Sequence, residues 1–127
     1  MSTWASRLLS VLRIVAAFLF MAHGAQKLFA VLGRDEAVEL ASRMGLAGAL
    51  EFFGGGLLLI GLFTRPVAFV LAGQMAFAYW LAHAPRGFWP IQNGGELAAL
   101  YCFLYLYISA NGGGKLSVDG LLRRRKA

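Results

Sequence analysis

A chain of 127 residues that is 59% hydrophobic and only 14% charged, with a mean hydropathy of +0.65, is too apolar for an ordinary soluble domain and reads as an integral membrane protein. At roughly 20 residues per spanning helix, about four spans exhaust it, so a single membrane domain is expected and no soluble catalytic domain fits beside it. The net charge of +6 gathers in the terminal RRRKA and in short connections, which is a topology signal and not a nucleic-acid surface, and the lone Cys102 excludes an internal disulfide or CxxC redox pair.

The first apolar run covers 8–32. Its start imitates a secretory signal, with Arg7, an apolar core and small residues from Ala22 to Ala25, but the helical pattern continues through Leu28 and further runs follow, so a retained span is expected. The charged connection GRDEAVELASRMG comes next, with Val38, Leu40 and Ala41 among its charges, and is expected to hold a short surface helix. The second run covers 46–63, and TRP then makes a tight connection in which Pro66 suits the first turn of a third helix over 66–82. HAPRGFWPIQNGG is a Pro/Gly-punctuated loop before the fourth run, 96–110, and NGGGK closes that run ahead of a basic tail over 111–127. The expected fold is therefore an all-α integral membrane four-helix bundle.

Lysine and arginine set the orientation. Arg7, Arg13, Arg65, Lys115 and Arg123 to Lys126 fall on one side, and Arg34, Arg43 and Arg86 on the other, so both termini are expected in the cytoplasm. Trp4, Trp80 and Trp89 fit interfacial anchors. RIVAAFLF in the first run echoes RPVAFVLA in the third, and Glu51 and Glu96 each open an even run, which would imply two parallel helical-hairpin repeats.

With that orientation the polar residues converge. At about 1.5 Å of rise per residue, Lys27 lies roughly 8 Å from the outer end of the first span and Glu51 about as deep in the second. Glu96 enters the fourth span from the same side, preceded by Gln92 and Asn93, His83 ends the third there, and His23 lies one turn deeper on the face of Lys27. An unpaired charge at a helix centre costs about 2.5–3.5 kcal/mol on insertion scales, so Lys27 is expected to pair with Glu51 or Glu96 inside the bundle. His23, Lys27, Glu51, Gln92, Asn93 and Glu96 are thus the candidate pocket residues, in the periplasmic leaflet. No metal-ligand spacing is present, so no metal site is expected. Gln74 reads as an interhelical hydrogen bond, Cys102 as a packing residue, and the many glycines as close helix contacts.

The segments HGAQKL, EFFGGGLLLIGLFTRPVA, NGGELAALY and NGGGKLSVDG together resemble the DoxX family of small four-helix membrane proteins over nearly the whole chain. The resemblance implies a multi-pass protein of the bacterial inner membrane and an association with thiosulfate:quinone oxidoreductase subunits or complexes handling thiol stress. It carries motif roles to His23, Gly24, Lys27, Glu51, Gly55, Arg65, Gly95, Glu96 and Asp119. Nothing in the chain supplies a flavin, haem or second thiol, so no cofactor is expected within it, a quinone is the candidate ligand, and catalytic residues are left unassigned. Three functions stay open. One is a subunit of a redox-linked complex with a quinone- or sulfur-compound pocket; the others are a proton-linked small-solute transporter and an assembly protein whose charged cluster is structural. The expected partners are the lipid bilayer and either another subunit or further copies of the chain, and not nucleic acid. The cytoplasmic halves of the spans are almost purely apolar, which disfavours the transporter.

Overall fold

The computed structural model describes residues 2–33, 36, 37 and 42–126, and all regular structure among them is helical. Helix α1, Thr3–Phe29, starts where the extended Ser2 accepts a hydrogen bond from the Ala5 amide (3.0 Å) and stops where Ala30 turns left-handed. Helix α2, Arg43–Ile60, is capped by the Ser42 hydroxyl on the Gly45 amide (3.0 Å) and ends at Gly61, whose φ of 72° suits a residue without Cβ. Helix α3 is Thr64–Arg86, α4 is the short Pro90–Asn93, α5 is Glu96–Asn111 and α6 is Val118–Lys126. Among the described residues, α1, α2 and α3 are long and apolar enough to cross a membrane, whereas α5 has 16 residues.

Three boundaries differ from the sequence reading. Residues 42–45 belong to α2 and its cap, and the surface helix expected around Val38 to Ala41 lies outside the described residues. Helix α3 begins two residues before Pro66, because its first amides find an acceptor outside the helix, on Asp119. The basic tail contains a helix, α6.

Helix α1 lies along α2, and α3 along α5. The first pair is close because it is lined with glycine: a Cβ on Gly24 would stand 2.7 Å from the Gly48 carbonyl oxygen, and one on Gly55 2.7 Å from Met21 Cγ. Between the pairs sits a core of Ala16, Ala17, Phe20, Leu58, Ala68, Leu71, Ala72, Tyr101, Tyr105 and Ile108. The Phe20 ring stands edge-on to Tyr101 (5.1 Å) and Tyr105 (5.3 Å). The outward face is apolar as well, with Leu12, Phe18, Phe69, Phe77, Leu100 and Phe103 all exposed. A helix apolar on every side has lipid for solvent, so this is a membrane protein in contact with the bilayer.

One end of the molecule is fastened by side chains that satisfy helix termini. Arg13, assigned from sequence to an interfacial charge count, is 1% exposed. Its Nε donates to the Leu58 carbonyl (2.8 Å) at the end of α2, Nη1 to the Gly113 carbonyl and Nη2 to the Leu116 carbonyl (2.9 Å). Ser10, one turn earlier, donates to the Gly113 carbonyl (3.2 Å) and accepts from the Leu116 amide (3.0 Å). Arg65 donates to the carbonyls of Ala110 (3.0 Å) and Asn111 (3.3 Å) at the end of α5. Asp119 takes the amides of Phe63 (3.0 Å) and Thr64 (2.8 Å) at the start of α3, while its own amide donates to the Gly61 carbonyl (2.9 Å). Phe63 is held there at φ 52°, a left-handed value costly for a residue with Cβ.

Two outcomes are expected. Arg13→Leu removes the donor to the Leu116 carbonyl and a second donor from those of Leu58 and Gly113, and lowers stability by about 3 kcal/mol, seen as a fall in melting temperature in detergent; Arg13→Lys rescues little, because one ammonium cannot span the fork. Burial would raise the Asp119 pKa, but the amides of Thr64 and Phe63 and the charge of Arg123 outweigh it and hold the carboxyl below its ordinary value. A lowered folded pKa means that this stabilisation is complete above about pH 4 and is lost as pH falls through the folded value. Asp119→Asn should therefore lower the melting temperature at neutral pH and flatten its decline between about pH 5 and pH 3.

Candidate functional site

At the other end, α1 and α2 bring together Lys27 and Glu51. The α2 backbone departs from α-helix over Leu50–Gly54, where it makes a π turn, and Glu51 sits inside that turn. Lys27 Nζ lies 2.7 Å from both Glu51 carboxylate oxygens, with the two side chains 21% and 5% exposed. The glycines allow this contact, since a Cβ on Gly48 would come within 3.0 Å of Lys27 Cβ. From α3, the Gln74 amide nitrogen reaches Glu51 Oε1 and the Ala47 carbonyl, both at 3.5 Å, which are long contacts. Of the two partners expected from sequence, Lys27 pairs with Glu51.

The pair forms part of the wall of a cavity of about 1110 Å³ between α1, α2, α3 and α5. Phe20, Leu50, Met75, Leu81, Leu97 and Ala98 give it an apolar lining, and His23, Gln74, His83 and Tyr101 add polar atoms. His23 is on this wall and exposed. Among the described residues, three buried polar atoms nearby have no partner: Gln74 Oε1 and the hydroxyls of Tyr101 and Tyr105. Large, mostly apolar cavities with a few convergent polar groups are the usual form of a ligand site.

The remaining candidates are placed differently. Asn93 is buried but serves the loop: its amide nitrogen donates to the Tyr79 hydroxyl (3.1 Å) and the Gly87 carbonyl (2.9 Å), and its oxygen accepts from the Gly95 amide (2.8 Å). Its carbonyl lies 3.2 Å from His83 Nδ1, so the loop positions a histidine of the cavity wall. Gly95 is required to be small, because a Cβ there would stand 2.7 Å from the Tyr79 ring. Gln92 and Glu96 are exposed and do not line the cavity. Among the described residues, no three His, Cys, Asp or Glu side chains gather as a metal site would need. Cys102 is a free, partly buried thiol packed against the core.

Sequence reasoning took Gln74 for an interhelical hydrogen bond, and it does reach α2, but its place in the cavity wall was missed. The signal was available for Gln74, an amide in the middle of an apolar run, at a height comparable to Glu51. Of the aromatic residues of ALYCFLYLY, which could flank an isoprenoid tail, Tyr101 lines the cavity.

Replacing Lys27 by Met should strand the Glu51 carboxylate and cost about 3 kcal/mol of stability. The double variant with Glu51→Gln should regain most of it, as measured by melting temperature in detergent.

Comparison with known proteins gives the same outline. Residues 8–84 match the family model DoxX. A Haemophilus influenzae protein described as uncharacterized is 43% identical over 118 residues, covering 87% of each chain. A second uncharacterized protein of that organism is 34% identical over 68 residues, 54% of this chain and 45% of its own length. No solved structure matches.

Proposed function

Because the chain belongs to the DoxX family, we propose that it is a multi-pass protein of the bacterial inner membrane and a subunit of a redox-linked complex, of thiosulfate/quinone or thiol-stress type, whose cavity receives a quinone-type headgroup. The observation that carries this reading is the Lys27–Glu51 pair at the wall of a large apolar cavity. Buried ion pairs are weak devices for stability, and intramembrane ionisable groups are functional candidates by default.

In this reading α5 is the fourth span. Its 16 residues rise about 24 Å, short of a hydrocarbon core of about 30 Å, and local thinning of the bilayer takes up the difference. Arg7, Lys115, Arg123 and Arg124 hold both termini in the cytoplasm, so the cavity faces the periplasmic leaflet. Leu46, Val70 and Phe77 border the cavity and are exposed to lipid, which gives an isoprenoid tail a lateral way in. Lys27 and His23 donate to the headgroup, Glu51 fixes the lysine, and the electron-transfer chemistry belongs to a partner subunit.

Mass spectrometry of the protein, purified in mild detergent from its own membrane, should find a bound quinone-class molecule that is absent from the folded Lys27→Met/Glu51→Gln variant. An empty wild-type cavity in an active complex would overturn the reading.

A further inference from the structure

We infer that the Arg43 end of the cavity binds an anionic headgroup, a carboxylate or phosphate, carried on an apolar chain; this goes beyond the quinone reading and shares with it only the premise that the cavity takes a ligand. The wall carries unequal charge. Among the described residues, Glu51 is the one carboxylate that lines the cavity, and it is already matched by Lys27 at 2.7 Å. Arg43, at the start of α2, lines the same cavity, is exposed, and has no hydrogen-bond or ion-pair partner among the described residues. A guanidinium does not lose its proton in a protein, so the wall holds at least one net positive charge before any ligand arrives. Low-dielectric walls around a charge of one sign concentrate its field on whatever enters.

The groups that would meet an anion are accessible and close in height. Gly48 of α2 stands against Lys27, since a Cβ there would lie 3.0 Å from Lys27 Cβ. Arg43 is five residues nearer the start of that helix, about 7.5 Å along its axis, so one headgroup fits between the two long side chains. The Lys27 side chain is 21% exposed and uses two of its three N–H groups on Glu51. His23, exposed on the same wall one turn before Lys27, carries an N–H in either tautomer. The chain of the ligand has a place as well, because Leu46, one turn after Arg43, and Val70 and Phe77 of α3 border the cavity and are exposed. A free inorganic anion would meet the charge and leave this lining unused. A neutral alcohol would fill the lining and leave Arg43 without a counterion.

The test titrates dodecyl phosphate, dodecanol and inorganic phosphate calorimetrically into the full-length protein in a neutral detergent, with transfer into protein-free micelles subtracted. Dodecyl phosphate should bind saturably and about tenfold more tightly than dodecanol, as a charge-assisted hydrogen bond provides, and inorganic phosphate far more weakly than either. Arg43→Gln should bring dodecyl phosphate down to the affinity of dodecanol, whereas Arg86→Gln, at an exposed arginine that does not line the cavity, should leave both unchanged. Equal affinities of the two dodecyl probes for the wild-type protein would overturn the preference for an anion and leave the cavity as a site for neutral apolar ligands. An equal loss in Arg43→Gln and Arg86→Gln would overturn it too, as general surface charge. Inorganic phosphate binding as tightly as dodecyl phosphate would overturn the chain-bearing ligand in favour of a free anion. Saturable binding of no probe would overturn the ligand-binding premise together with this inference. The wild-type comparison decides the matter even where a variant does not fold.

Discussion

A membrane-embedded helix can meet all its backbone hydrogen bonds internally except at its ends, and the Arg13 guanidinium is this chain's answer at the most crowded of them. Its fork reaches the last turn of α2 and two carbonyls of the segment before α6, so three parts of the chain converge on one buried side chain. Arg65 does the same for the end of α5, and Asp119 serves the start of α3. The signs agree with the helix dipole throughout: cations at C-termini, an anion at an N-terminus. The arginine echo between RIVAAFLF and RPVAFVLA thus has a shared physical content, since each arginine caps the far end of the helix on which its own helix packs.

With that end fastened, the other end can hold a polar site without loss of order. Helices α1 and α2 approach through glycine, and this brings Lys27 and Glu51 into contact where a methyl group on Gly48 or Gly24 would force them apart. The two helix pairs then leave a gap, which is the cavity, and the Asn93 carbonyl holds His83 on its wall. The same chain is tight where backbone must be satisfied and open where a ligand would sit.

Much of this was legible in the sequence. Apolar runs gave the helices, depth counting placed Lys27 and Glu51 at one height, and the glycines marked the close interface. Depth counting yields height but not azimuth, and this is why Gln92 and Glu96 were grouped with the site although both are exposed and lie off the cavity wall. Arg13 was read as a topology charge because a census of charges does not see the carbonyls opposite. Ser6, Ser10 and Arg13 at helical spacing did mark a polar stripe. The glutamate half of the internal echo does not hold in space, as Glu51 is buried and Glu96 is exposed.

The π turn over Leu50–Gly54 has an implication for how such a site diverges. It packs one residue more into the turn than an α-helix would, so the two halves of α2 are out of phase by about 100°. Gly48 and Gly55 both face α1, Glu51 between them reaches Lys27, and Gly54 meets Leu71 of α3. A relative that lost a single codon there would keep its apolar runs but turn one half of α2 by about 100° against the other. Chain length inside this one turn thus sets how the glycine face before it lines up with the glycine face and the capped end after it.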